Sequence, residues 1–122
     1  MAFVLRKEPS FKYPVNIHEP ENGRKIVRKV DFSFLTISPD EVADLLLRSK
    51  EAQLSGEDSS FDRDLCVRVV KGWKSGDITD EQGAAIEFSD DMLLALIDIP
   101  YVRKAIVETY FEALNGGAKK GN

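Results

Sequence analysis

Apolar residues recur at every second position before residue 38 and at every third or fourth position after it. Side chains alternate across a strand but return to one helix face after three or four residues. A chain with this single change of period builds strands first and helices second. The segment "FKYPVNI" sets Phe11, Tyr13, Val15 and Ile17 against Lys12, Pro14 and Asn16, the pattern of a half-buried strand. Pro14 falls on the outward set and has no N–H for a ladder, so the strand is expected at a sheet edge. "HEPENGRK" follows, with Pro20 and the pair Asn22-Gly23, both tolerant of positive φ. "KIVRKVDFSFLTI" then returns with Ile26, Val30, Phe32 and Phe34 on one face. The two strands read as an antiparallel β-hairpin with a long basic arm. Phe3, Val4 and Leu5 are expected to add a short third strand.

The helical region opens at "SPDE". Ser38 is a cap, Pro39 suits the first helical position and Glu41 completes a capping box. Val42, Leu45, Leu46 and Ser49 line one side, and the helix is expected to end near Leu54. After the polar connector "SGEDSS", Ser59 or Ser60 caps a second helix. Its stripe is Phe61, Leu65, Cys66, Val69, Val70 and Trp73, with Gly72 near its end. "KSGDITDEQGAAIEF" is a loop with room for two short strands, Asp77 to Thr79 and Ala85 to Phe88. Ser89 caps a third helix, short, with Asp90 and Asp91 in its first turn and Met92, Leu93, Leu96 and Ile97 as its buried residues.

Asp98-Ile99-Pro100 marks a boundary. A residue before proline avoids the α region, whereas proline itself suits a first helical turn. From there Val102, Ala105, Ile106, Thr109, Tyr110, Ala113 and Leu114 form a continuous helical stripe, stopped by Gly116-Gly117. The expected architecture is therefore α+β in one domain over residues 1–122: a β-hairpin or small sheet over 1–37, about four helices over 38–115, and a flexible tail over 116–122.

Composition narrows the function. Net charge is −4 with 31% charged residues, which leaves no basic footprint for nucleic acid. The charge is uneven, +3 over residues 1–37 and −7 over 38–122. Such asymmetry suits self-association or a charged partner, and equally a solvated surface. One cysteine cannot form an internal disulfide, which points to a reducing cytoplasm. No signal peptide or membrane-length apolar run is present in the sequence. Catalysis has little to draw on. His18 flanks a turn and Cys66 sits on an apolar stripe, so an exposed imidazole and an inert thiol are expected. A metal site of His and Cys fails on count. "DITDEQGAAIEF" has Gln82 and Phe88 where a calcium loop needs glycine and glutamate. No catalytic residue, cofactor or metal ligand is assigned.

The last helix is apolar on more than one side, since Tyr101 and Phe111 lie partly off the main stripe. Surplus apolar area of this kind suits a partner surface. Tyr101, Val102, Ile106, Tyr110 and Phe111 are the candidate partner-binding residues, and the hairpin edge is a candidate for self-association.

The string "GW…DEQG…FSDDMLLALIDIPYVRKAIVETYFEALNGGAKKGN" resembles the tail assembly chaperones of long-tailed bacteriophages and prophages. The matching features are Gly72-Trp73, Asp80-Glu81-Gln82-Gly83, Phe88-Ser89 and "LLALIDIPYVRKAI…YFEAL", joined by "FVLRKEPSFKYPV" and "FSFLTIS" near the start. The resemblance implies a non-enzymatic factor of the host cytoplasm, absent from the finished particle. It would bind the tape measure protein, keep that long helical chain soluble and help recruit tail tube protein. It would also work as a homo-oligomer. Two other readings remain: another small tail component, such as a completion protein, or an adaptor domain with a peptide-binding groove. The resemblance further implies a programmed frameshift that makes a longer form able to recruit tube protein. Lys119-Lys120 fit an A-rich slippery run. Sequencing the gene there checks this, and codons that cannot re-pair after a one-base slip exclude it.

Overall fold

The computed structural model of the protein describes residues 1–116. Its elements run β1 (Ser10–Glu21), β2 (Arg24–Leu35), α1 (Pro39–Leu54), α2 (Phe61–Val69), β3 (Val70–Trp73), α3 (Asp90–Ile97) and α4 (Pro100–Leu114). The chain is α+β. A three-stranded antiparallel sheet, ordered β1-β2-β3, carries the helices. The tail expected over 116–122 lies, after Gly116, outside the described residues.

Asn22 and Gly23 close the hairpin with φ of 49° and 82°. Two consecutive positive φ values give the two-residue turn whose twist matches that of the flanking strands. Both strands therefore run to the turn itself, in register from Ser10↔Leu35 to Glu21↔Arg24. Phe11, Tyr13 and Val15 face Phe34, Phe32 and Val30 across the ladder, all on the face that meets the helices. β1 is an edge strand, as Pro14 requires. Towards the turn the core runs out. Val27 is exposed there, and Arg28 pairs with Glu19 at 3.1 Å.

The third strand is not the expected one. Phe3, Val4 and Leu5 have no regular structure. Instead α2 ends at Val69, and Val70–Trp73, expected as its last turn, becomes β3 on the free edge of β2. The pairing explains the misleading spacing. Phe32 faces Trp73 and Ser33 faces Gly72, but Phe34 faces Val70. Lys71 is thus an extra residue, a β-bulge. It puts Val70 and Trp73, three apart, on one face of a strand, where a regular strand would split them. Both are buried, and Lys71 points to solvent. Spacing of three on one face imitates a helix. The loop after β3 also differs from expectation. Instead of two short strands it holds one bridge, Thr79 with Ala85.

Serines start three helices as their sequences require. Ser38, Ser60 and Ser89 each accept from the backbone N–H three residues on, in Glu41, Arg63 and Met92. Asp98 is helical and Ile99 extended, so α3 stops and α4 starts within two residues, with Pro100 in the first turn. α4 lies against β1, and α2 against β2 and β3; α1 packs chiefly on α2. That peripheral place leaves Leu46, expected in the core, exposed with Leu47 and Leu54. Met92, also expected inside, is exposed on α3. Ser49 is buried on α1 and donates to Asp64 Oδ2 at 2.6 Å, joining α1 to α2; Ser59 donates to the same oxygen at 3.0 Å.

Tyr110 fastens α4 to the sheet. Its hydroxyl donates to Leu35 O at 2.8 Å and accepts from Ile37 N at 3.3 Å. Its ring, fully buried, packs on Phe11, Phe34 and Phe111. Replacing Tyr110 by Phe leaves both backbone groups unpaired, so Tyr110→Phe is expected to cost about 1–3 kcal/mol. Burial also raises the phenol's pKa. Above about pH 10 an unfolded chain releases this proton while the folded one holds it, so stability falls as pH rises there. Urea titrations of both proteins at neutral and alkaline pH measure both effects. The part of the alkaline loss that belongs to this phenol should vanish in Tyr110→Phe.

Candidate functional site

The five candidate residues of α4 divide by burial. Val102, Ile106 and Tyr110 are core residues, closed to solvent. Helical spacing puts them on one line facing the sheet and α2. Tyr101 and Phe111 are half-buried at the margin of that core. They do not form one patch, since ten helical residues put them about 15 Å apart along the axis and about 80° apart around it. Phe111 packs edge-on against Tyr110, with centroids 5.5 Å apart.

Tyr101 borders an open groove of about 330 Å³ between the turn end of the hairpin and the first half of α4. His18, Pro20 and Lys25 come from the hairpin, and Lys104, Ala105 and Glu108 from the helix. Here the structure joins two features singled out separately in the sequence, the last helix and the hairpin arm. The charged groups ring a floor of Tyr101, Ala105 and Pro20, a surface suited to a side chain with an apolar body and a polar end.

A second groove, of about 600 Å³, escaped the sequence reading. It runs between α1, α2 and α3 over Leu45, Ala52, Val67 and Leu94, with Arg48, Arg63, Arg68 and Lys71 around it. Val67 and Leu94 are 45% and 38% exposed. The available signal was their place off the main stripes of α2 and α3. Bringing them together takes the packing of three helices, which periodicity does not specify. Arg68 is already engaged by both carboxylate oxygens of Glu41, which clamps α2 to α1. Among the described residues the other three cations form no ion pair across the groove; Arg48 pairs with Asp44 along α1 at 2.9 Å.

The loop 74–89 is built on Trp73. Its ring meets Phe88 edge-on at 5.2 Å, and its Nε1–H donates to Ile86 O at 2.8 Å. Asp80 Oδ1 accepts from the N–H groups of Gln82 and Ala84, both at 2.9 Å, and Gly83 takes φ of 86° in the same turn. Asp77 Oδ2 accepts from Asp31 N at 2.9 Å, tying the loop to β2. Asp77, Asp80 and the Trp73 indole N–H are thus engaged in holding the loop. Trp73, Asp80, Gly83, Phe88 and Ser89, which carry part of the resemblance, have structural roles.

All 122 residues match the family of phage tail assembly chaperones. The chain belongs to that family. No curated protein and no solved structure matches it significantly.

Within this tail assembly chaperone the single cysteine and the single histidine have different surroundings. Cys66 is closed to solvent on α2, whereas His18 is exposed on β1. Burial pushes the Cys66 thiol up to about 12; the charge of Asp62 adds to the rise and that of Arg103 opposes it. Among the described residues no three of His, Cys, Asp or Glu gather in a way that would hold a metal ion. No described helix is long and apolar enough to cross a membrane. Since the thiolate is the reactive form, native Cys66 is expected to resist a thiol reagent at pH 8. Its labelling rate should follow the opening equilibrium, rising with urea to that of a free thiol in the unfolded chain. Fast labelling of the native protein would show the site to be open.

Proposed function

We propose that this tail assembly chaperone binds the tape measure protein of its phage and keeps it soluble by covering apolar helical surface. It makes and breaks no covalent bond. It acts in the host cytoplasm in several self-associated copies, and gives way as tail tube protein assembles around the client. The observation that carries this reading is the family match over the whole chain. The surface is consistent with it: exposed leucines on α1, and two open grooves with apolar floors and charged rims. Long amphipathic clients are held well by repeated weak contacts whose avidity comes from neighbouring copies, and weak contacts also allow displacement.

Of the five candidate residues in α4, Tyr101 and Phe111 have surface left to offer, and they are the proposed client contacts there. Val102, Ile106 and Tyr110 support them from within. The exposure of Val67 and Leu94 favours the α1–α2–α3 groove as a second client face, with Arg48, Arg63 and Lys71 suited to acidic residues flanking an apolar stripe.

Co-expression with the tape measure protein tests the reading. Tyr101→Ala with Phe111→Ala should lower the soluble fraction of the client severalfold while the variant keeps its circular dichroism and melting profile. Val67→Asp with Leu94→Asp makes the same test of the second groove. A client equally soluble with no chaperone at all would overturn the proposal.

A further inference from the structure

Two surfaces left unused by the functions discussed above complement each other. One is the segment before β1. Phe3 and Leu5 are 90% and 89% exposed, and Arg6 and Lys7 follow them, also exposed. Spaced two apart, Phe3 and Leu5 share one side of an extended chain. The other surface is a groove of about 230 Å³ between the loop after β3 and α3. Its floor is Trp73, and its walls are Ile78, Ile86, Met92, Leu96 and Ile99. Its apolar lining is nearly continuous, and the chain that forms it is acidic. Asp77 precedes Ile78, Asp80 follows Thr79, Glu87 follows Ile86, Asp91 precedes Met92 and Asp98 precedes Ile99. Between Ser75 and Val102 the chain has seven carboxylates and no Lys, Arg or His. None of the seven forms an ion pair among the described residues.

We propose that the segment Phe3–Lys7 of one copy docks in this groove of a second copy. Phe3 and Leu5 would enter the apolar floor, and Arg6 and Lys7 would meet carboxylates of the acidic stretch that forms the groove. Within one chain the segment does not occupy the groove, since both anchors are exposed. The two surfaces also belong to opposite sides of the sheet. The segment leads into β1, one edge strand; the groove hangs from β3, the other edge. A contact between unlike surfaces on opposite sides is heterologous. It leaves a free segment at one end and a free groove at the other, so copies add head to tail into chains or a ring. The proposal supplies a contact for the self-association included in the proposed function. Its test reads assembly of the pure protein, apart from any client.

Sedimentation velocity of the purified chain decides the matter. The wild type should associate with rising concentration, and high salt should weaken that association because Arg6 and Lys7 are exposed. Phe3→Ser with Leu5→Ser, and separately Met92→Lys, should each lower the association constant roughly tenfold or more, as loss of an anchor does. Mixed together, the first variant still offers an intact groove and the second an intact segment, so the mixture should form a one-to-one pair that grows no further. Arg6→Glu with Lys7→Glu touches no core residue and should weaken association without altering the melting profile. A wild type that stays monomeric at every concentration, variants that associate as well as the wild type, or a mixture that forms no pair would each overturn the proposal. Protection of the segment in a monomer would do so as well, by showing that it folds back on its own groove.

Discussion

Two backbone groups at the end of the sheet depend on one phenol. β2 stops at Leu35 and the chain crosses to α1, leaving Leu35 O and Ile37 N inside the protein with no strand to pair them. The hydroxyl of Tyr110, 73 and 75 residues away, meets both. A buried, unpaired peptide group is costly enough to prevent the crossing from being enclosed. Tyr110 therefore lets the sheet-to-helix junction lie under α4 and sets the height of α4 on the sheet. Phe11 and Phe34 pack against its ring, so the same residue that satisfies the junction also fills the core.

The opposite edge of the sheet follows a related rule. β2 has a free edge once β1 has paired with the other side, and Val70–Trp73 occupies it. The bulge at Lys71 reconciles two demands: the strand must pair with β2, and Val70 and Trp73 must both face Phe32 and Phe34. Trp73 then organises the next sixteen residues through its N–H and its contact with Phe88. That loop and α3 together make the acidic region between Ser75 and Val102.

The function proposed for this tail assembly chaperone turns on which apolar groups the fold leaves outside. α1 packs chiefly on α2, so one of its faces stays in water with three leucines on it. α4 is enclosed by β1, α2 and α3, so most of its stripe goes inward. An apolar stripe in a sequence therefore does not separate core from partner surface. Tyr110 and Tyr101 look alike in the pattern, yet one is shut inside and the other lines a groove.

What the sequence alone determined is what adjacent residues decide. The change of period at Ser38, the turn at Asn22-Gly23, the three serine caps and the start of α4 at Pro100 all follow from dihedral preferences and hydrogen bonds within a few positions. The three serines hold the helix starts assigned to them, and Ile99 is extended as a residue before proline should be. The end of α2 was not legible, because Val70 and Trp73 satisfy helix and bulged strand equally; the free edge of β2 chose between them. Nor were the three grooves, or the exposure of Leu46 and Met92, since these depend on which elements pack together. Only the tertiary structure decided them, because hydrogen bonds and burial between distant segments outweigh the small local preferences that the sequence pattern records.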